Sequence, residues 1–347
     1  MPSPLSLCIL RLSAIGDVCH AAAMVRAIQL HHENIEITWV IGKIEYQLLK
    51  GMSGVRFIVY DKQNSKQAKA QLKSELGGQI FDVLFVMQVA LRANLLSLSI
   101  KAKRRIGFDW ARSKEGHYLF TNERVQPREH SHVLDGFMDF AACLGVEAEQ
   151  RPLQWTIPIP KDDETWVDSQ LDGLAPFAVI SPAASKAQRN WTSTGYAKTA
   201  EYMQQQGLKV VLCGGPGALD ATTRDAIVSM TDAVDLDLVG KTSLKQMLLI
   251  LRRARLVIAP DTGPAHMATT QGTPVIGLYA HSNPKRTGPY MSLAHTVSVY
   301  DECVLEQFGK PWQALPWGKR AKGDDLMTKI KFEDVRSMID KVITEVH

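Results

Sequence analysis

The feature that most constrains this chain is an alternation. Short apolar runs trade places with longer amphipathic stretches, and the cycle runs along most of the sequence. Runs at 5–12, 35–41, 57–60, 81–87 and 105–108 have the length and β-type composition of buried strands. Between them, 17–29, 46–50, 62–76 and 91–100 read as helices, and 133–144 follows as another, ending at Gly145. A βαβα alternation points to parallel sheets with helices on both faces. Right-handed crossovers then bring every strand-to-helix loop to one edge.

The pattern breaks twice. Residues 109–132 are polar and rich in Arg, His and Lys, so they should form loops over that edge. The stretch 151–160 carries three prolines and reads as an extended lead into a linker. A second alternation follows, with strands at 177–181, 209–213, 236–238, 256–259 and 275–279. Its helices fall at 194–206, 218–230 and 244–252, and an amphipathic helix at 332–346 closes the chain. At 347 residues the chain is too long for one ordinary core and fits two domains of about 150 residues each. The expected fold class is α/β: two Rossmann-like doubly wound domains with a cleft between them. The boundaries are 1–160, 161–325 and a C-terminal helix, 326–347, open to packing back on the N-terminal domain.

Composition narrows the class. Apolar content of 45% with 22% charged residues belongs to a globular enzyme and excludes a disordered or fibrous chain. A net charge of +4 is too mild to call for nucleic acid, yet clustered cations can receive an anionic substrate. Five scattered cysteines without a CxxC favour a reducing compartment and no structural metal. Arg11 inside the first apolar run, with no cationic segment before it, reads as strand and not signal peptide. The expected place is the cytoplasm, with at most peripheral contact at the inner face of the inner membrane.

The densest chemistry lies at 257–274, VIAPDTGPAHMATTQGTP. A strand enters, Asp261-Thr262-Gly263 turns, and a helix starts with Thr262 as its N-cap, Pro264 on its first turn and His266 just after. Such a helix start offers unpaired N–H groups and the positive dipole end to a phosphate. Asp261 repels phosphate and should face hydroxyls instead. A sugar diphosphate satisfies both demands, although Asp-Thr-Gly-Pro also begins many βα units that bind nothing.

Three further loops fall at strand ends. In the turn 13–17, Asp17 sits at a helix start, where it either caps the helix or acts as a general base. The loop SPAASKAQRNW, 181–191, carries Lys186, Arg189 and the Trp191 indole. It is either a solvated basic loop or a clamp on a diphosphate. Residues 214–217, GGPG, could approach a nucleotide closely, but they form neither GxGxxG nor a Walker A loop.

Taken together, these loops resemble the ADP-heptose:lipopolysaccharide heptosyltransferases, glycosyltransferase family 9. The resemblance is carried by RLSAIGDVCHAAAMVRAI, by SKAQRNWTSTGYA, by GKTSL at 240–244, and by APDTGPAHMATTQGTPVIGLYAHSNPKRTGP. It implies a GT-B fold with the acceptor on the N-terminal domain and the donor on the C-terminal one. It implies transfer of heptose from ADP-L-glycero-β-D-manno-heptose to a lipid A-Kdo type core acceptor, with inversion and with neither metal nor cofactor. On this resemblance Asp17 is the base and Ser13 lies beside it on the donor. Arg189 neutralises the departing diphosphate with Lys186 nearby, Thr262, Gly263 and His266 cradle it, and Asp261 holds heptose hydroxyls. Arg189 stands where the family usually has Lys. The loop GGPGALD offers only Asp220 where the family often has a ribose-binding Glu.

Arg92, Arg104, Arg105, Arg112 and Lys114 follow later strands of the first domain and are either acceptor-binding cations or plain surface charge. Trp110, Trp312 and Trp317 either contact lipid or sugar or simply pack. Asp235-Leu236-Asp237 matches the DxD of metal-dependent transferases, but beside a short strand its acids should face solvent. The other readings are a different GT-B transferase or epimerase, and a non-catalytic sugar-nucleotide binder.

Overall fold

The computed structural model describes residues 4–147 and 153–345. These form two compact units, one of residues 1–129 and 133–158, the other of 130–132 and 159–347.

In the first unit, β1 (Leu5–Leu10), α1 (Ile15–His31), β2 (Ile35–Gly42), α2 (Lys43–Leu49), β3 (Val55–Tyr60), α3 (Ser65–Leu76), β4 (Ile80–Val86), α4 (Leu91–Ser97), β5 (Lys101–Gly107), β6 (Glu123–Arg124) and α5 (Val133–Ala142) succeed one another. The strands pair in the order β3-β2-β1-β4-β5-β6, and every pairing is parallel. In the central strands β1, β2 and β4 the buried runs are nearly continuous, not alternating, because both faces of a parallel sheet are covered by helices. One face is filled by Cys8, Leu10, Val40, Ile58, Leu84 and Val86 against Leu72 and Leu76 of α3. Helix α3 stops at Gly77, whose φ of 55° suits the left-handed cap that glycine adopts without strain. Helix α1 is buried nearly all round and packs on α5.

The second unit repeats the plan with α6 (Lys161–Gln170), β7 (Phe177–Ile180), α7 (Ser193–Gln205), β8 (Lys209–Leu212), α8 (Ala218–Val228), β9 (Leu236–Asp237), α9 (Leu244–Arg253), β10 (Val257–Pro260), α10 (Gly263–Thr270), β11 (Val275–Tyr279), α11 (Pro284–Thr287), β12 (Thr296–Ser298), α12 (Tyr300–Phe308) and α13 (Phe332–Glu345). Its all-parallel order is β12-β11-β10-β7-β8-β9. Counted from the first strand of each unit, both sheets therefore have the same order, and each reverses direction between its first and fourth strands. In open α/β sheets that reversal leaves a crevice at the carboxyl edge where ligands bind. Helix α9 begins with a reciprocal cap: Gln246 N donates to Ser243 Oγ at 3.1 Å, and Ser243 N donates to Gln246 Oε1 at 2.8 Å.

The C-terminal helix packs within the second unit: its apolar stripe, Val335, Ile339 and Val342, is buried in that unit's core with Tyr196, Met203 and Val297. The short segment 130–132 also belongs to the second unit. There His132 Nε2 meets Gly288 O at 2.9 Å, and Trp317 Nε1 donates to Ser131 O at 2.9 Å. The His130 ring packs against Trp312 and Trp317, at 5.5 and 5.0 Å between centroids. Those two tryptophans therefore pack, whereas Trp110 is 62% exposed.

All five cysteines are free. Burial raises Cys8 and Cys19 far above an ordinary thiol and pushes Cys213 up to about 12, so these three stay protonated and inert. No described helix is long and apolar enough to cross a membrane.

Candidate active site

Each sheet carries a cluster at its point of reversal. In the first unit, β1 runs into Arg11, Leu12 and Ser13 before α1 begins. Gln88, just beyond β4, ties this turn down. Its Oε1 accepts from Leu12 N at 2.8 Å and its Nε2 donates to Ser13 Oγ at 3.3 Å. Trp39 Nε1 donates to Arg11 O at 3.1 Å. Asp17 is the third residue of α1, and its Oδ2 accepts from Ala14 N at 3.0 Å, as an acid in a helix's first turn can.

The same Oδ2 is in an ion pair with the Arg11 guanidinium, whose side chain is 12% exposed against 30% for Asp17. Arg11 also donates to Met87 O and lies 5.2 Å over the Phe137 ring. One carboxylate oxygen of Asp17 is thus held twice, and Oδ1 has no partner among the described residues. The capping role and a reactive role are compatible here, because they use different oxygens. Arg11 was read only as evidence for a strand; its position six residues before Asp17, across a strand-to-helix turn, was the available signal.

Glu45 was also missed. It is buried in the first turn of α2, close enough to Gly42 that a Cβ there would sit 2.3 Å from Glu45 Oε2. Burial raises its pKa, and the Asp17 charge adds to the rise.

The acceptor arginines divide. Arg92 and Lys114 are exposed. Arg104 forks onto Glu123 through three contacts of 2.8–3.1 Å. Arg105 spends four of its five N–H groups inside the unit. It donates to Phe120 O at 2.9 Å, Ile100 O at 2.8 Å, Ser97 O at 3.1 Å and Ser97 Oγ at 2.8 Å. Arg112 pairs with Asp109, donates to Asp139 Oδ2 at 2.8 Å and to Gln126 O at 3.0 Å. Arg105 and Arg112 therefore act as internal braces, with little donor capacity left for a ligand.

In the second unit the cluster follows β7 and β10. Thr262 occupies the N-cap position of α10, but its hydroxyl does not cap the helix; it donates to Ala183 O at 3.3 Å. Pro264 lies in the first turn, as expected, and Gly263 begins the helix. His266 is buried on the next residue but one. Asp261 Oδ2 accepts from Ser282 Oγ at 2.6 Å and lies 3.6 Å from Arg189 Nη1, which also donates to Asp261 O at 3.4 Å. Arg189 and Asp261 line a shallow hollow with Tyr279, His281, Ser282 and Met327. The structure thus brings Arg189, Asp261 and Thr262 together, while Lys186 is exposed at the edge of its loop.

Trp191 is a correction. Its indole does not face the carboxyl edge but is buried, donating to Ile330 O at 3.1 Å and meeting Tyr196 edge-on at 5.2 Å. The Asp235–Asp237 acids are a second correction, for they are not simply solvated. Asp235 accepts from Lys209 at 2.9 Å, Gln204 at 3.0 Å and Val210 N at 2.8 Å. Asp237 accepts from Arg224 at 2.6 Å, Lys241 at 3.2 Å and Val239 N at 3.0 Å. Asp220 closes the glycine turn that precedes it, accepting from Gly215 N at 2.8 Å, and burial raises its pKa.

The geometry has relatives. The model of glycosyltransferase family 9 (heptosyltransferase) matches residues 69–317. The lipopolysaccharide core heptosyltransferase OpsX of Haemophilus influenzae is 44% identical over 98% of this chain and 97% of its own length. In fold, the chain is similar to a family 9 glycosyl transferase from Veillonella parvula, at a TM-score of 0.80 and 20% identity over 99% and 98% of the two chains. It is similar also to E. coli heptosyltransferase WaaC with ADP, at 0.73 and 17% over 99% of each. Two doubly wound units of this kind are the GT-B architecture of those enzymes. By the match to its model and by near-complete kinship with OpsX, this chain belongs to glycosyltransferase family 9, the heptosyltransferases.

Proposed function

We propose that the chain transfers heptose from ADP-heptose to the inner core of lipopolysaccharide, with inversion and without a metal, using Asp17 as general base. The full-length kinship with a lipopolysaccharide core heptosyltransferase supports the substrate classes. The observation that carries the mechanism is the Asp17 carboxylate, pinned through Oδ2 by Arg11 and Ala14 N while Oδ1 stays open. A base must present one fixed lone pair to the hydroxyl it deprotonates.

In this reading Oδ1 takes the proton from the acceptor hydroxyl as that oxygen attacks C1 of the heptose. The C1–O bond to the diphosphate breaks as the new bond forms, and ADP leaves with the electron pair. Negative charge then grows on the diphosphate, where Arg189 and the uncapped N-terminus of α10 would stabilise it. Arg189 lies 3.6 Å from Asp261, and Ser282 also donates to that acid, so Asp261 would keep a partner if the cation turned to phosphate. Asp261 would then accept from heptose hydroxyls. Of the acceptor arginines, Arg92 has the exposure to contact substrate, and Arg105 and Arg112 would act through the loop they brace. The enzyme would work from the cytoplasm at the inner face of the inner membrane.

The test is Asp17→Asn. The variant should bind ADP with unchanged affinity in calorimetry and lose at least about a hundredfold in turnover, the usual scale of general-base loss. Normal turnover by this variant would remove Asp17 from the chemistry. Activity should survive a chelator; loss on EDTA treatment would contradict the metal-free reading.

A further inference from the structure

Helix α4 turns part of its apolar set outward. Asn94 and Ser97 are fully buried with Ala93 and Leu96, whereas Leu91, Leu95 and the capping Leu98 are exposed by 50, 48 and 63%. These leucines recur at intervals of four and three residues and share one helical face. Beside α4, the segment after β5 adds Trp110, Tyr118 and Leu119, the last 72% exposed. The Trp110 and Tyr118 rings lie 4.9 Å apart.

The two segments are bolted together from beneath. Asn94 Oδ1 meets His117 Nδ1 at 2.8 Å, Asn94 Nδ2 donates to Glu115 O at 3.3 Å, and Arg105 joins Ser97 to Phe120. The buried polar groups thus fix the face, and the face itself is apolar. A patch of this kind on a globular unit marks an interaction surface.

The charges around it choose the partner. Arg92, Lys101 and Lys114 are exposed, and the Arg124 guanidinium lies 4.2 Å over Trp110. Of the nearby acids, Asp109 pairs with Arg112, and the exposed Glu115, which accepts from Leu91 N, keeps its charge but is outnumbered by the cations. Leucines flanked by Trp, Tyr and cations without an ion-pair partner among the described residues match the surface of an anionic bilayer, with the rings at headgroup depth and the cations among phosphates.

We propose that this face, Leu91–Leu95–Leu98 with Trp110, Tyr118 and Leu119, docks the enzyme on an anionic lipid surface. The placement has a consequence that rests on the transferase reading above. Helix α4 starts just beyond Gln88, the residue bonded to the Ser13 turn, and the aromatic segment leaves β5 at the same carboxyl edge. Docking would therefore bring a lipid-anchored acceptor to the edge of the sheet that holds Asp17.

The experiment is flotation of the full chain with phosphatidylcholine vesicles, with and without phosphatidylglycerol. The protein should float with the anionic vesicles and be released by salt. L95E/L98E and, separately, R92E/K101E should each lower partitioning at least ~10-fold, since they remove apolar insertion and phosphate attraction respectively. I44E, on an equally exposed residue of α2, should leave it unchanged, and circular dichroism checks that each variant folds. The proposal is overturned if the wild type stays with the soluble fraction, or if L95E/L98E floats as well as the wild type. It is overturned equally if sedimentation shows a dimer that L95E/L98E dissolves, for the face would then be a self-interface. ADP titration of the same wild-type sample tests the transferase reading separately.

Discussion

His117 should make the first unit acid-sensitive in a way that can be isolated. The ring is fully buried. Phe108 N donates to its Nε2 at 3.2 Å, so Nε2 must be unprotonated, and Nδ1 carries the hydrogen that Asn94 Oδ1 accepts at 2.8 Å. Charging the ring would set two N–H groups face to face at Nε2 inside the protein. Burial first, and the Arg124 charge second, accordingly lower the pKa from 6.5 to about 4. The unfolded chain therefore binds a proton more tightly than the folded one. His117 costs no stability above pH 6.5, and stability falls as pH drops from there toward 4. At about 1.4 kcal/mol per unit, the loss approaches about 3 kcal/mol. The assay is urea unfolding from pH 7 to 4 for the wild type and His117→Gln. The two curves should converge by up to about 3 kcal/mol as pH falls, and the His117 ring protons should titrate in NMR only near pH 4. Parallel curves, or a titration near 6.5, would refute the argument.

Arg11→Ala should lower kcat at least about tenfold with little change in the KM for donor, because its part is to orient the Asp17 carboxylate; Arg11→Lys should recover part of it. Arg189→Ala should lower kcat and donor affinity together, by about 3 kcal/mol in kcat/KM if it stabilises the leaving diphosphate, and steady-state kinetics with unchanged constants would dismiss it. Gly195→Ala would place a methyl 2.5 Å from the Trp191 ring, costing about 1–3 kcal/mol in chemical denaturation. Ile339→Ala should cost about 2–5 kcal/mol and report on the second unit, since that side chain is fully buried in its core.

The parts of the fold that could be read from sequence are those in which one force acts alone. The central parallel strands are largely apolar runs, and burial on both faces favours the strand reading for IEITWVIG and VIGLY. Helix α6 was passed over because KDDETWVDSQ buries only Val167, leaving almost no apolar period to detect. Its real signal was Pro160 followed by Asp162, Asp163 and Glu164 in one turn. Helix α12 was missed too, beyond the last strand that was expected. The turns that carry Asp17 and Asp261 were legible, since strand ends and helix starts dictate where such acids fall. Their partners were less so. Arg11 meets Asp17 across a single strand-to-helix turn, whereas Ser282 meets Asp261 only after β11 has returned beside β10, and Arg105 and Trp191 turn inward for partners 5 to 139 residues away.

The shared strand order has an evolutionary implication. Each half keeps its reactive turns outside its packed layers, so a sheet can keep its core while those turns are rewritten. On the proposed division of substrates, a new acceptor preference would arise by changes beyond β1, β4 and β5, while the turns beyond β7 and β10, proposed to hold the nucleotide, are inherited intact. Grafting loops between relatives should therefore preserve folding wherever the exchange ends at the last paired residue of a strand.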